Sequence, residues 1–122
     1  MKKLTTLFLV AFAANVLMGA GLLHTNSDGK SIYNQYKCAK CHAIKSENIA
    51  RAGSEAPSQD GKEPPDLSGA GVNHNAEWIS KWLMKETENT NGKKHVKKFG
   101  GSDDELKTLS NWLATLKKPA KG

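Results

Sequence analysis

Five consecutive residues, Cys38-Ala39-Lys40-Cys41-His42, constrain this chain more than anything else in it. Two thiols three apart, with an imidazole directly after the second, form the C-x-x-C-H pattern of covalent haem attachment. The spacing serves the chemistry. On one helical turn, positions three apart share a face, so both sulfurs can reach the two vinyl groups along one porphyrin edge. The adjacent His42 then turns under the ring and offers a nitrogen to the iron. Three plainer uses compete. A zinc site wants four ligands, and the chain holds no second cysteine pair to complete one. A thioredoxin-like redox pair wants a βαβ context, and no alternating strand pattern is present. A structural disulfide is the third. The haem reading is preferred to all of them.

A length of 122 residues suggests one domain, and the N-terminus stands apart from it. Lys2 and Lys3 form a positive start. Leu4 to Leu23 then runs apolar, interrupted by Thr5, Thr6 and Asn15. That is the pattern of an export signal, and it places the remainder in the periplasm. Gly19-Ala20-Gly21 supplies small residues for cleavage, so residues 1–21 are read as signal peptide and 22–122 as the domain. An uncleaved anchor is the alternative, since about 20 apolar residues suffice to cross a bilayer. It would tether the domain to the inner membrane.

A domain of this size buries a modest core by itself, and a large apolar cofactor would add to it. Trp78, Trp82 and Trp112 are a heavy aromatic load for so few residues. Lys2 and Lys3 are two of 18 basic residues, so 16 remain against 12 acidic ones, a net +4 before haem propionates are counted. Such a surface favours acidic partners. It does not make a nucleic-acid binder, because no aromatic-interleaved basic stripe accompanies it.

Ser27 or Asp28 can cap a first helix that carries Ile32, Tyr33 and Tyr36 and runs straight into the cysteines. Residues 46–63 are polar, rich in Gly and Ser, and read as a long surface loop. Pro64 and Pro65 exclude regular helix. From Asn75 to Glu86 a further helix is expected, with Trp78, Ile79, Trp82 and Leu83 inside an arc of about 140°. Thr87 to Gly101 reads as loop. Ser102-Asp103-Asp104-Glu105 is a capping box that opens the last helix. Leu106, Leu109, Trp112, Leu113 and Leu116 form its buried stripe, Lys117 and Lys118 complement its dipole, and Pro119 ends it. The fold class is all-α.

In this order the features resemble class I cytochrome c over nearly the whole chain after Ser27. The resemblance implies a small helical domain wrapped around one covalent haem c, acting as an electron carrier. Gly29-Lys30-Ser31-Ile32-Tyr33 is similar to that family's first helix, whose glycine lets the first and last helices cross closely. Pro65-Asp66-Leu67 is similar to its Pro-x-Leu segment. By that resemblance the Pro65 carbonyl accepts a hydrogen bond from the proximal His42, Leu67 packs on the haem face, and Trp78 and Trp82 roof it.

The family usually supplies a methionine as sixth ligand from the loop before the last helix, and here the chain departs from the pattern. Gly92-Lys93-Lys94-His95-Val96-Lys97-Lys98 resembles that loop with His95 in the methionine's place. Met84 falls about 170° from the apolar face of its helix. Bis-histidine iron, His42 proximal and His95 distal, is therefore the preferred reading. Its rival is a solvated His95 with Met84, water or nothing on the iron. His74 reads as solvent-facing, and His24 lies at the signal boundary. Imidazole in place of sulfur should lower the potential. Lys93, Lys94, Lys97 and Lys98 could steer an acidic redox partner. A haem sensor or enzyme with an open sixth site is the main functional alternative, and a membrane-tethered respiratory subunit is another. No general base, nucleophile or substrate pocket is legible, so catalysis is not expected.

Overall fold

The computed structural model describes residues 28–53 and 61–118. The expected signal or anchor segment lies outside them, as do Pro119 and the middle of the 46–63 loop. Among the described residues no helix is long and apolar enough to cross a membrane.

Among the described residues four α-helices carry the fold: α1 (Gly29–Gln35), α2 (Ala70–Asn73), α3 (Ala76–Leu83) and α4 (Asp103–Thr115). Short 3-10 turns occupy Cys38–Lys40 and Lys45–Glu47. Among the described residues the extended pairing amounts to one isolated bridge, Ile44 to Ile49, so the all-α expectation holds.

Each longer helix starts where its chemistry requires. The Asp28 carboxylate accepts from the Ser31 N–H at 2.7 Å and opens α1. Asn75 does the same for Trp78 N–H and opens α3. Ser102 and Glu105 form the complete capping box of α4, each side chain bonding the other's backbone N–H. The end of α3 is a Schellman closure: Lys85 N–H reaches the Trp82 carbonyl and Glu86 N–H reaches that of Lys81. Lys85 holds φ +62° there, a position usually given to glycine.

Helix α4 is the hub, packing on α1, α2 and α3. Its Leu109 and Leu113 join Ile32, Tyr33, Ile44, Ile79 and Leu116 in one buried cluster. Each such side chain contributes about 2 kcal/mol when fully withdrawn from water. Gly29 is where α1 crosses α4, because a Cβ there would overlap the Trp112 side chain. Tyr33 meets Trp112 edge-on at 5.9 Å. The close crossing at Gly29 was expected of the first helix.

Three expectations need correction. Helix α1 does not run into the cysteines. It stops at Tyr36, Lys37 turns left-handed at φ +58°, and the cysteines occupy a separate 3-10 turn. A short helix, α2, precedes α3 where no helix was expected. Lys117, assigned to the α4 dipole, instead reaches across to donate to the Gly71 carbonyl at 3.0 Å.

Within α4, the Ser110 hydroxyl is buried and finds no partner among the described residues. Removing an unsatisfied buried hydroxyl relieves a desolvation cost, and alanine is the better helix former. Ser110→Ala is therefore expected to leave stability unchanged or raise it by about 1 kcal/mol, read as a higher thermal midpoint; a clear fall would show that the hydroxyl is bonded.

Candidate functional site

The site begins at the turn that carries the thiols. Cys41 N–H and His42 N–H both bond the Cys38 carbonyl, winding 38–42 into one tight turn. In a 3-10 turn residues three apart eclipse, so Cys38 and Cys41 project on the same side. Both thiols are free and half-buried. Burial pushes the Cys38 thiol above its usual range, with Lys97 drawing it partly back.

The turn is clamped from several directions. Ala52 N–H donates to the Ala39 carbonyl at 2.7 Å, and Gly53 rests so close to the Lys40 carbonyl that no Cβ would fit. The first stretch of the polar loop thus straps the thiol turn, and an Arg51–Glu63 ion pair at 3.1 Å joins the described residues on either side of the loop. Tyr33, buried to 1% exposure, donates its hydroxyl to the His42 carbonyl at 2.5 Å.

His42 is oriented through its other ring nitrogen. Its Nδ1 lies 2.8 Å from the Pro65 carbonyl oxygen, the bond expected from the Pro65-Asp66-Leu67 segment. That segment is anchored by contacts the sequence does not advertise. Leu67 N–H donates to the Ala43 carbonyl, and Ser68, 1% exposed, accepts from Ser46 N–H. Asp66 accepts from the Ser68 hydroxyl and N–H and from Lys45 N–H. Burial works against its charge, yet these bonds hold Asp66 below the ordinary carboxylate range. Leu67 is half-buried against the core cluster.

His95 comes from the loop between α3 and α4. Its Nδ1 lies 2.5 Å from the Lys97 carbonyl oxygen. The loop is held at both ends: Phe99 N–H bonds the Leu83 carbonyl, and Lys85 Nζ reaches the Val96 carbonyl at 3.3 Å. A carbonyl can only accept, so Nδ1 carries the proton in both histidines, and each neutral ring keeps its lone pair on Nε2. Desolvation lowers the pKa of both. For His42 the Pro65 bond opposes this and the neighbouring His95 adds to it. For His95 the Lys97 carbonyl opposes and Lys85 adds. Both imidazoles are thus biased toward the neutral form that binds metal.

The two rings lie nearly parallel, with centroids 6.1 Å apart and planes within 15°. Trp82 meets His95 edge-on, and Trp78 stacks on Trp82. His74, expected at the solvent, lies flat on Trp78. Met84 is half-buried at the end of α3, where it caps the helix.

Among the described residues no three His, Cys, Asp or Glu side chains gather as a metal site. Two nitrogen donors suit a metal that arrives with its other ligands, as iron does in a porphyrin. The donor set, the paired thiols and the flanking indoles fit that group. The family model described as Cytochrome c matches residues 27–117. Comparison with curated proteins and with solved structures gives no match.

Proposed function

Since the chain belongs to the cytochrome c family and is a haem-binding electron-transfer protein, we propose that it is an exported mono-haem carrier whose iron sits between His42 and His95. The family carries haem c covalently, and its iron supplies a one-electron change of oxidation state. In this reading Cys38 and Cys41 form the thioethers. His42 is the proximal ligand, held by Pro65. His95 is the distal ligand, held by Lys97.

The separation of the two rings is the observation that carries the reading. An iron held by both residues would need the two Nε2 atoms on either side of it, and nearly parallel rings with centroids 6.1 Å apart are close enough for one metal to be shared. The tautomers agree as well, because both leave Nε2 bare. Met84, by contrast, is the C-cap residue of α3, on a different element from the His95 loop.

With His42 and His95 both holding the iron, no position would be left for small molecules, and the group would supply electron transfer rather than ligand uptake. Two imidazoles also set a lower potential than a sulfur ligand would. The run of Lys93, Lys94, Lys97 and Lys98 around His95 suits an acidic redox partner drawn by charge, in an association that weakens with salt. Periplasmic placement rests on the Leu4–Leu23 segment, and an uncleaved segment would add membrane attachment.

His95→Met should raise the reduction potential by a sizeable part of the ~0.8 V span that axial ligands command, and His95→Ala should open the iron to carbon monoxide. Potentials and ligand uptake unchanged in both variants would remove His95 from the iron and reinstate an open or Met84-bound centre.

A further inference from the structure

Phe99 follows His95 by four residues, and it is fastened to α1, α3 and α4. Its backbone N–H donates at 2.9 Å to the carbonyl of Leu83, the last residue of α3. Its ring meets that of Tyr36, the residue that closes α1, with centroids 4.6 Å apart and planes at 55°. The Tyr36 hydroxyl in turn donates at 2.7 Å to Glu105 Oε2 in the first turn of α4, 69 residues along the chain. That oxygen also accepts from Ser102 N–H at 2.9 Å and from the Ser102 hydroxyl at 3.2 Å. Gly101 lets the parts close up. A Cβ there would lie 2.6 Å from Phe99 Cζ and 2.7 Å from Glu105 Oε2.

Tyr36 and Phe99 both rest on the rim of the buried cluster, so packing is part of their role. Packing leaves the polar half of the arrangement unexplained. A capping box is complete with Ser102 and Glu105 alone. The Tyr36 hydroxyl adds a donor to an oxygen that is already bonded, and a bond to a charged acceptor is stronger than a neutral one. Ser102 N–H first, and Tyr36 after it, hold Glu105 below the ordinary carboxylate range, so it stays a charged acceptor near neutral pH. The end of α1, the start of α4 and the segment after His95 are thereby tied at one point.

Resting on the bis-histidine reading, we propose that Tyr36, Phe99 and Glu105 form a latch on the distal loop that sets how readily His95 withdraws from the iron. Tyr36 and Glu105 are positioning residues that act through Phe99. A ligand carried on a loop leaves when the loop opens, and local opening is governed by the few contacts that hold that segment. With the latch closed, Phe99 fixes the chain close to His95. With it open, the loop can lift, and a small anion can compete for the sixth position.

The test uses the full-length, haem-loaded protein. Cyanide uptake by the ferric form is followed by absorbance, and exchange of the Phe99 N–H by nuclear magnetic resonance. Tyr36→Phe keeps the ring and deletes the donor, and it should speed both severalfold. Tyr36→Leu and Phe99→Leu also lose the ring contact and should speed both by about tenfold or more. Gly101→Ala leaves every latch group present but pushes Phe99 and Glu105 out of place, and it should act in the same direction. Gly71→Ala weakens the fold away from the latch, and it should lower the thermal midpoint while leaving both rates unchanged. Unchanged rates in Tyr36→Phe or in Phe99→Leu, or an equal acceleration in Gly71→Ala, would each overturn the latch. A sulfur-ligation band in the unmodified protein would defeat the ligand reading and the latch with it. Unchanged rates under a bis-histidine spectrum would defeat the latch alone.

Discussion

Gly71→Ala is expected to destabilise the protein by about 3 kcal/mol, read as a lower urea midpoint at unchanged slope. A Cβ at Gly71 would sit within the Ala114 carbonyl, which is backbone and cannot swing aside. The same residue clasps the two helices together. Its N–H donates to the Leu116 carbonyl at 2.8 Å, and its own carbonyl accepts from Lys117 Nζ. Pushing α2 off α4 breaks both bonds and uncovers the end of the core. Against a total stability of about 5–15 kcal/mol, a loss of this size is severe. Gly29→Ala meets the Trp112 Cβ, which no rotamer change can move, so a comparable loss of about 3 kcal/mol is expected there. A midpoint unchanged by Gly71→Ala would mean that α2 and α4 are not packed this closely.

The second large effect falls on Tyr33. Tyr33→Ala empties a fully buried aromatic position at the crossing of α1 and α4 and should cost about 4 kcal/mol. Tyr33→Phe is the more informative change. It keeps the ring and removes the donor to the His42 carbonyl, leaving a part-buried acceptor unpaired at about 1–2 kcal/mol. Burial holds the Tyr33 hydroxyl well above the ordinary phenol range, so it stays a donor across the working pH range. The Phe variant should therefore lose stability and also shift the reduction potential, because the backbone of the proximal histidine is released. A Phe variant identical to wild type in both measurements would show that the hydroxyl bond does not steady the site.

How much of this is legible in the sequence depends on how local each cause is. The starts of α3 and α4 are legible because Asn75 and the Ser102–Glu105 box are short-range signals. The stripe Leu106, Leu109, Trp112, Leu113 and Leu116 is legible because its period is that of a helix; the four leucines are buried and Trp112 is half-buried against the core. Helix α2 is not, since Ala70-Gly71-Val72-Asn73 has no apolar period and is held through Gly71 against α4. The break at Lys37 is also hidden, because nothing local marks a lysine for a left-handed turn.

At the site, the bond from His42 to the Pro65 carbonyl is legible only through family resemblance. The anchors that place Pro65 join residues about 20 apart, such as Ser46 with Ser68, and no spacing rule announces them. Tyr33 shows itself in the sequence as a packing residue, but its hydroxyl's hold on His42 depends on the tertiary fold. His95 stands out because it replaces an expected methionine, whereas its tautomer depends on the Lys97 carbonyl. The strap of Ala52 and Gly53 over the thiol turn gives part of the polar loop a structural role that composition does not suggest.

The far-red absorbance of the unmodified ferric protein tests the two-imidazole centre most directly. With His42 and His95 both on the iron, the spectrum is expected to be low-spin and to lack the band that marks a sulfur ligand. That band, present in the wild-type protein, would contradict the assignment and return the sixth position to Met84.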